Sequence, residues 1–328
     1  MLRTLQHPNG LRQVHLGGWK KQSNDPRDAE FALKLHRGML PGATQTSCDN
    51  RNICSPVEDQ SDLGSCTANM LAGLVESNEV KRIVGKLSAA ATAQVAVANI
   101  SVGTGGIISF NVSVTPPVTP APTPTPAPTP TPAPTPVAKL IDVSRLFEYY
   151  ATRKIEGTVN EDSGASIRDA IKAAATSGVV DEKLWPYNIS QFTVNPPANV
   201  WTVAATHKVT SYHAIADGDL ETMKTTLIQG FLIGFGFQVY DYFMSAAMAS
   251  QALLGLPKSG EQLQGGHAVC LVGFDDNKAM PDGTKGAFLV RNSWGTAWGL
   301  AGYFWMSYAY VAKTTLCSDF WVVQSSPV

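Results

Sequence analysis

The chain has 328 residues, 44% of them hydrophobic, and a formal net charge of −1. That length and apolar content allow one sizeable core or a two-lobed enzyme, and the near-neutral balance excludes a basic field for nucleic acid and an acidic solvating tail. The five cysteines, Cys48, Cys54, Cys66, Cys270 and Cys317, are too few and scattered for a disulfide scaffold and form no CxxC pair for zinc.

The N-terminus, MLRTLQHPNGLRQVHLGGWKK, lacks the apolar core of an ordinary secretory signal. The most hydrophobic stretch, 89–114, is broken by Gln94, Asn99, Asn111 and several glycines, so no run reaches membrane-spanning length. A soluble monomer is expected, with no membrane, nucleic acid, metal or cofactor as partner. It is either cytoplasmic or exported by another route. Asn99, Asn111 and Asn188 open Asn-X-Ser sequons, which carry no weight without a secretory context.

Residues 1–42 read as irregular and polar, closed by a turn at Leu40-Pro41-Gly42. A helix is expected from Cys66 to about Lys86. Ile108, Phe110, Val112 and Val114 then alternate with Ser109, Asn111 and Ser113, which predicts a strand, and Val95 and Val97 suggest its hairpin partner. From Ala121 the chain repeats APTPTP. Proline fixes φ and removes the backbone donor, so this tract favours polyproline II. At about 3.1 Å per residue, residues 115–136 would span roughly 70 Å, as an inert spacer or a docking segment for a partner.

Helical texture resumes at 142–150 and again at 165–176, where Asp162-Ser163-Gly164 reads as turn and cap and Gly178 as the stop. Trp185-Pro186-Tyr187 marks another turn. Runs at 231–239, 268–274, 287–290 and 302–306, punctuated by glycines, read as strands. The expected class is therefore α+β with two lobes. A helical lobe covers about 43–86 and 139–205, and a β-rich, barrel-like lobe covers about 206–328. Residues 87–138 form an insertion, and 43–328 form one domain preceded by 1–42.

Three stretches carry polar residues in tight, glycine-rich surroundings: Gln60…Gly64-Ser65-Cys66, Gly265-Gly266-His267 and Asn292-Ser293-Trp294-Gly295. A thiolate can attack a carbonyl, an imidazole can hold the proton, and an amide can orient the imidazole. A cysteine at a helix N-terminus beside His⁺ has its thiolate stabilised. Taken singly, Cys66 is a small buried residue, His267 a core histidine and Asn292 a turn residue. Occurring together in this order, they are far more specific.

These stretches resemble the papain-like cysteine peptidases. Gln60 stands six residues before Cys66, GGHAVCLVGFDD resembles the segment around that family's histidine, and NSWGTAWGLAGYF is similar to its Asn-Ser-Trp-Gly segment. The resemblance spans most of 53–321 outside the insertion. PVEDQ…LGSCTAN, SRLFEYY and Asp162-Ser163-Gly164 look closest to a bacterial, xylellain-like branch, in which a short N-terminal segment lies over the cleft. Gly18-Trp19 and Asp25-Pro26-Arg27-Asp28 look like its counterpart.

The resemblance implies a polypeptide substrate and a proenzyme held latent by residues 1–42. Cys66 would be the nucleophile, as a thiolate beside His267 imidazolium, with Asn292 accepting the other ring N–H. Trp294 would shield that bond. Gln60 and the Cys66 N–H would form the oxyanion hole, with Gly64, Gly164, Ala165, Gly265 and Gly266 lining the substrate path. Residues 231–243 would wall an apolar side-chain pocket.

Two departures stand out. Leu63 and Asp162 occupy both halves of a disulfide usual in the family, so packing is expected to hold this loop. Thr67 replaces an aromatic beside the cysteine. His267 lies about 200 residues after Cys66 rather than about 130–150, and the insertion accounts for most of the excess. Cys48–Cys54 and Cys270–Cys317 are each open as bridges or free thiols. Two other readings share these residues: a degenerate scaffold tethered by its Pro/Thr segment, and an acyl transferase or amidase. The four intact polar residues weigh against the first and the Asn-Ser-Trp-Gly segment against the second.

Overall fold

The computed structural model describes residues 1–23, 25, 45–90, 95–103, 107–114 and 141–325. The Leu40-Pro41-Gly42 turn and the Pro/Thr tract lie outside them. The chain opens with strands β1 (Leu2–His7) and β2 (Gly10–His15), paired antiparallel about a Pro8-Asn9 turn. Residues 2–15 are thus a hairpin rather than irregular chain. Its signal is faint because only Leu5 and Val14 bury fully, one from each strand.

β3 (Ser47–Asp49) and helix α1 (Cys66–Ala90) follow, and β4 (Val95–Gly103) then pairs antiparallel with β5 (Ile107–Val114). Helix α2 (Arg145–Glu156) starts at Ser144, whose side chain accepts from the Phe147 N–H, and stops at Gly157, where φ is +73°. Helix α3 (Ile167–Thr176) is capped by Ser166, accepting from the Asp169 N–H, and not by Asp162-Ser163-Gly164. That leaves Asp162 available for other work.

The remaining elements are α4 (Ala198–Ala204), β6 (Val209–Ile215), α5 (Leu220–Ile228), β7 (Ile233–Tyr240), α6 (Ala246–Gln251), β8 (Leu253–Leu254), β9 (Leu263–Ala279), β10 (Lys285–Arg291), β11 (Tyr303–Ser307), α7 (Tyr308–Val311) and β12 (Cys317–Ser325). They build a mixed sheet in the order β6-β12-β7-β9-β10-β11-β8, with β3 added beside β9. All neighbours are antiparallel except β11 and β8.

Strand β9 explains how the lobes join. Its side chains alternate between two cores: Val269 and Leu271 face Phe235, Phe237, Phe243 and Phe304, while Ala268, Cys270 and Val272 face Met70, Leu71 and Leu74 of α1. Burial on both faces accounts for its unbroken apolar run. Phe235, Phe237 and Phe243 therefore belong to the core. All five cysteines are free thiols. Among the described residues no helix is long and apolar enough to cross a membrane.

Glu148 on α2 is fully buried, and neither carboxylate oxygen has a hydrogen-bond partner among the described residues. Burial pushes its carboxyl well above the ordinary range. The native state thus keeps a proton that the unfolded chain releases above about pH 4.3, so this group lowers stability as pH rises from there. Glu148→Gln is expected to raise Tm at pH 7–8, with the gain fading toward pH 4. Thermal melts across that range check it, and an equal change at both ends would refute it.

Candidate active site

Cys66 is the first residue of α1 and is fully buried. It packs in one buried cluster with Ala268 of β9, the residue that follows His267. The packing of α1 on β9 thus sets Cys66 beside the start of that strand's apolar run. His267 Nε2 lies 2.8 Å from Asn292 Oδ1, and Nδ1 has no hydrogen-bond partner among the described residues. An amide oxygen can only accept, so Nε2 carries the proton and Nδ1 is the free base. Trp294 stacks on the imidazole, with ring centroids 5.1 Å apart and planes 24° apart.

Gln60 is held from two sides. Its Oε1 accepts from Ser293 Oγ at 2.6 Å, and its Nε2 donates to Leu63 O at 3.1 Å. The Gln60 N–H bonds Ser293 O, and the Gly295 N–H bonds Glu58 O, each at 2.9 Å. These bonds zip residues 58–60 to the Asn292–Gly295 loop, which brings Gln60 to the segment that carries Asn292, the hydrogen-bond partner of His267. Ser293 is the residue the sequence reading missed here. Its position between Asn292 and Trp294 was the available signal.

Asp162 accounts for the missing disulfide. Its two oxygens lie 3.0 and 3.2 Å from the Gly64 N–H, and Tyr149 Oη donates to it at 2.5 Å. The Gly164 N–H in turn donates to Tyr149 Oη at 3.1 Å. A carboxylate and a phenol therefore fasten the Leu63-Gly64 loop, so packing alone does not hold it. The paired absence of two cysteines, one replaced by an acid, pointed to this.

The residues expected to line a substrate path hold the chain's own N-terminal segment. The Gly17 N–H donates to Gly266 O at 2.8 Å, the Ala165 N–H to Gly18 O at 2.8 Å, and the Lys20 N–H to Ala165 O at 3.0 Å. Gly265 lies against Leu16 and Gly17. Gly18 crosses directly over Cys66: a Cβ there would sit 2.7 Å from the sulfur. Only glycine fits. Arg12 pins the hairpin above, donating to Trp294 O at 3.1 Å and pairing with Asp59. Lys20 Nζ bonds Glu156 at 2.6 Å.

Burial pushes the Cys66 thiol up to about 12 and His267 down to about 4. Both shifts favour the neutral form of their group, where the sequence reading expected an ion pair.

The description "Papain family cysteine protease" matches residues 156–320, and a solved structure supports the assignment over nearly the whole chain. Xylellain, a cysteine protease from Xylella fastidiosa, is 30% identical over 95% of this chain and 97% of its own, with a TM-score of 0.66. This chain belongs to the papain family. An uncharacterized peptidase C1-like protein of Acanthamoeba polyphaga mimivirus is 45% identical over 188 residues, 55% of this chain and 58% of that protein. Cysteine proteinase 1 of Entamoeba histolytica is 29% identical over 130 residues, 39% of this chain and 36% of its own. The chain thus spans about half the length, or less, of these two curated relatives. Procathepsin L2 from the larval midgut of Tenebrio molitor shares the fold, with a TM-score of 0.59 at 16% identity over 94% of this chain and 78% of that one.

Within this papain-family site, Asp162→Ala leaves the Gly64 N–H and the Tyr149 hydroxyl without their acceptor. A loss of about 1–3 kcal/mol is expected, read as a lower midpoint in urea unfolding. An unchanged midpoint would show that packing alone suffices.

Proposed function

We propose that the chain is a cysteine peptidase that its own N-terminal segment keeps latent. The observation carrying this reading is that Leu16–Lys20 uses the cleft's backbone groups while Gly18 covers Cys66. In this reading residues 1–42 are the latency segment, 43–328 the peptidase domain and 87–138 an insertion in it. The substrate is a polypeptide laid along Gly164-Ala165 and Gly265-Gly266 once the segment leaves.

Opening readmits water, which removes the desolvation that keeps Cys66 and His267 neutral. The thiol proton passes to His267 Nδ1, the ring nitrogen left without a partner, while Nε2–H stays on Asn292 Oδ1. The thiolate attacks the peptide carbonyl, a C–S bond forms, and the negative charge moves to the oxygen. Gln60 Nε2 and the Cys66 N–H hold that oxygen. Nδ1–H then protonates the leaving amine as the C–N bond breaks. A water that gives its proton to Nδ1 attacks the thioester, and breaking the C–S bond releases the acid. Ser293 and Asn292 act by positioning Gln60 and His267.

The test uses full-length protein and an epoxide-type thiol-protease inhibitor. Arg12→Ala removes charge-assisted bonds from the cover, and labelling at Cys66 should quicken by roughly tenfold or more. No labelling in either protein, or equal rates in both, contradicts the latency reading. In peptidase assays Cys66→Ala and His267→Ala should be inactive. Gln60→Ala should lose about 10²–10³ in kcat with KM little changed, and full kcat in that variant would remove Gln60 from the mechanism.

A further inference from the structure

Gln60 and Cys66, which carry the two donors of the proposed oxyanion hole, are joined by a loop of five residues, 61–65. The loop is strained at its start. Ser61 has a φ of +54°, a left-handed value that a side chain disfavours. Such a conformation persists only where the surrounding structure over-determines it.

Tyr187 holds both ends of this loop. Its Oη donates to Gln60 O at 2.9 Å and lies 2.5 Å from the Oγ of Ser65, the residue before Cys66. The phenol has one proton and gives it to Gln60 O, so the Ser65 hydroxyl is the donor in the second bond. Asn69 Nδ2, one turn along α1, donates to Ser65 Oγ at 3.1 Å and to Ser65 O at 3.0 Å. The bonds thus run in one direction, from Asn69 through Ser65 and Tyr187 to Gln60 O. Burial pushes the Tyr187 hydroxyl up to about 12, so it keeps its proton at neutral pH.

Tyr187 is itself fixed. It follows Trp185-Pro186, and Trp185 O accepts from Ser144 Oγ, at the head of α2, at 2.6 Å. The Arg145 guanidinium lies 4.1 Å from the centre of the phenol ring. Glu58 at 2.8 Å and Glu182 at 2.6 Å hold that cation, which also donates to Asp59 O at 3.2 Å. The group that stacks on Tyr187 therefore also bonds the residue before Gln60.

We infer that Tyr187 is a positioning residue for the oxyanion hole: its hydroxyl, bridging Gln60 O and Ser65 Oγ, sets the spacing between the Gln60 amide and the Cys66 N–H. It acts through Gln60 and Ser65 and not on the substrate. Without the hydroxyl each of those two atoms loses a partner, the strained loop is free to relax, and the donors no longer converge on one oxygen. This rests on the reading of Gln60 and the Cys66 N–H as the oxyanion donors.

Full-length Arg12→Ala, with its loosened cover, serves as the parent. Adding Tyr187→Phe keeps the ring on Arg145 and removes only the hydroxyl. With a fluorogenic peptide, kcat should fall roughly tenfold while KM stays within about twofold. Alkylation of Cys66 by iodoacetamide builds no charge on a carbonyl oxygen, so its rate should not change. On top of Gln60→Ala, Tyr187→Phe should cost less than about threefold more, because the main donor it positions is gone. An unchanged kcat, an equal slowing of alkylation, or full additivity with Gln60→Ala overturns the inference. If the parent cleaves no peptide, the peptidase reading fails, and hydrogen exchange decides the role of Tyr187. The backbone amides of residues 61–66 should then exchange at least roughly tenfold faster in Tyr187→Phe than in the parent, and equal exchange overturns the inference. Should Tyr187→Phe not fold, Ser65→Ala removes the hydroxyl's other partner and should give the same loss of kcat, and full kcat there overturns it.

Discussion

Cys66 and His267 belong to different lobes, and the seam between α1 and strands β9 and β10 fixes the distance between them. Part of that seam is apolar, Met70, Leu71 and Leu74 against Ala268, Cys270 and Val272. Part of it is a buried cation. The Arg291 guanidinium lies where a Cβ on Gly73 would be, so α1 can approach only because residue 73 has no side chain. Arg291 then donates to Ser55 Oγ at 3.0 Å and Pro56 O at 2.5 Å, fixing the segment that leads to Gln60. One close approach thus orders both sides of the site.

In the latency reading proposed above, the N-terminal segment would work on this site in two ways: by occupying the backbone groups that an extended peptide would use, and by excluding the water that charge separation needs. The second effect is the more general, since a thiol and an imidazole without solvent have no reason to exchange a proton. Its own hold is divided among short-range contacts at Arg12, Trp19 and Lys20, each of modest strength. Such a cover is one of the places where local opening is expected to precede any global unfolding.

Much of this was legible in the sequence, for identifiable reasons. Long apolar elements announced themselves: α1 after Gly64-Ser65, and β9 as an unbroken apolar run. The joint pattern of Gln60, Cys66, His267 and Asn292 was legible because chemistry constrains residue type more tightly than packing does. The hairpin of residues 2–15 was hidden because most of its side chains are polar and only Leu5 and Val14 reach the core. The contacts of Asp162, Tyr149 and Ser293 were hidden for another reason. Each acts through a partner far away in the chain, and no local spacing encodes such a meeting.

The fastening at Asp162 also bears on the chemical surroundings in which this site can keep its shape. A reacting thiol has to stay reduced, whereas a disulfide beside it has to stay oxidised, and the two demands pull against each other. Here the loop before Cys66 is tied by a carboxylate accepting from the Gly64 N–H and the Tyr149 hydroxyl, and all five cysteines are free. No sulfur–sulfur bond contributes to the scaffold. A reducing potential strong enough to keep Cys66 as a thiol therefore takes nothing from the geometry around it.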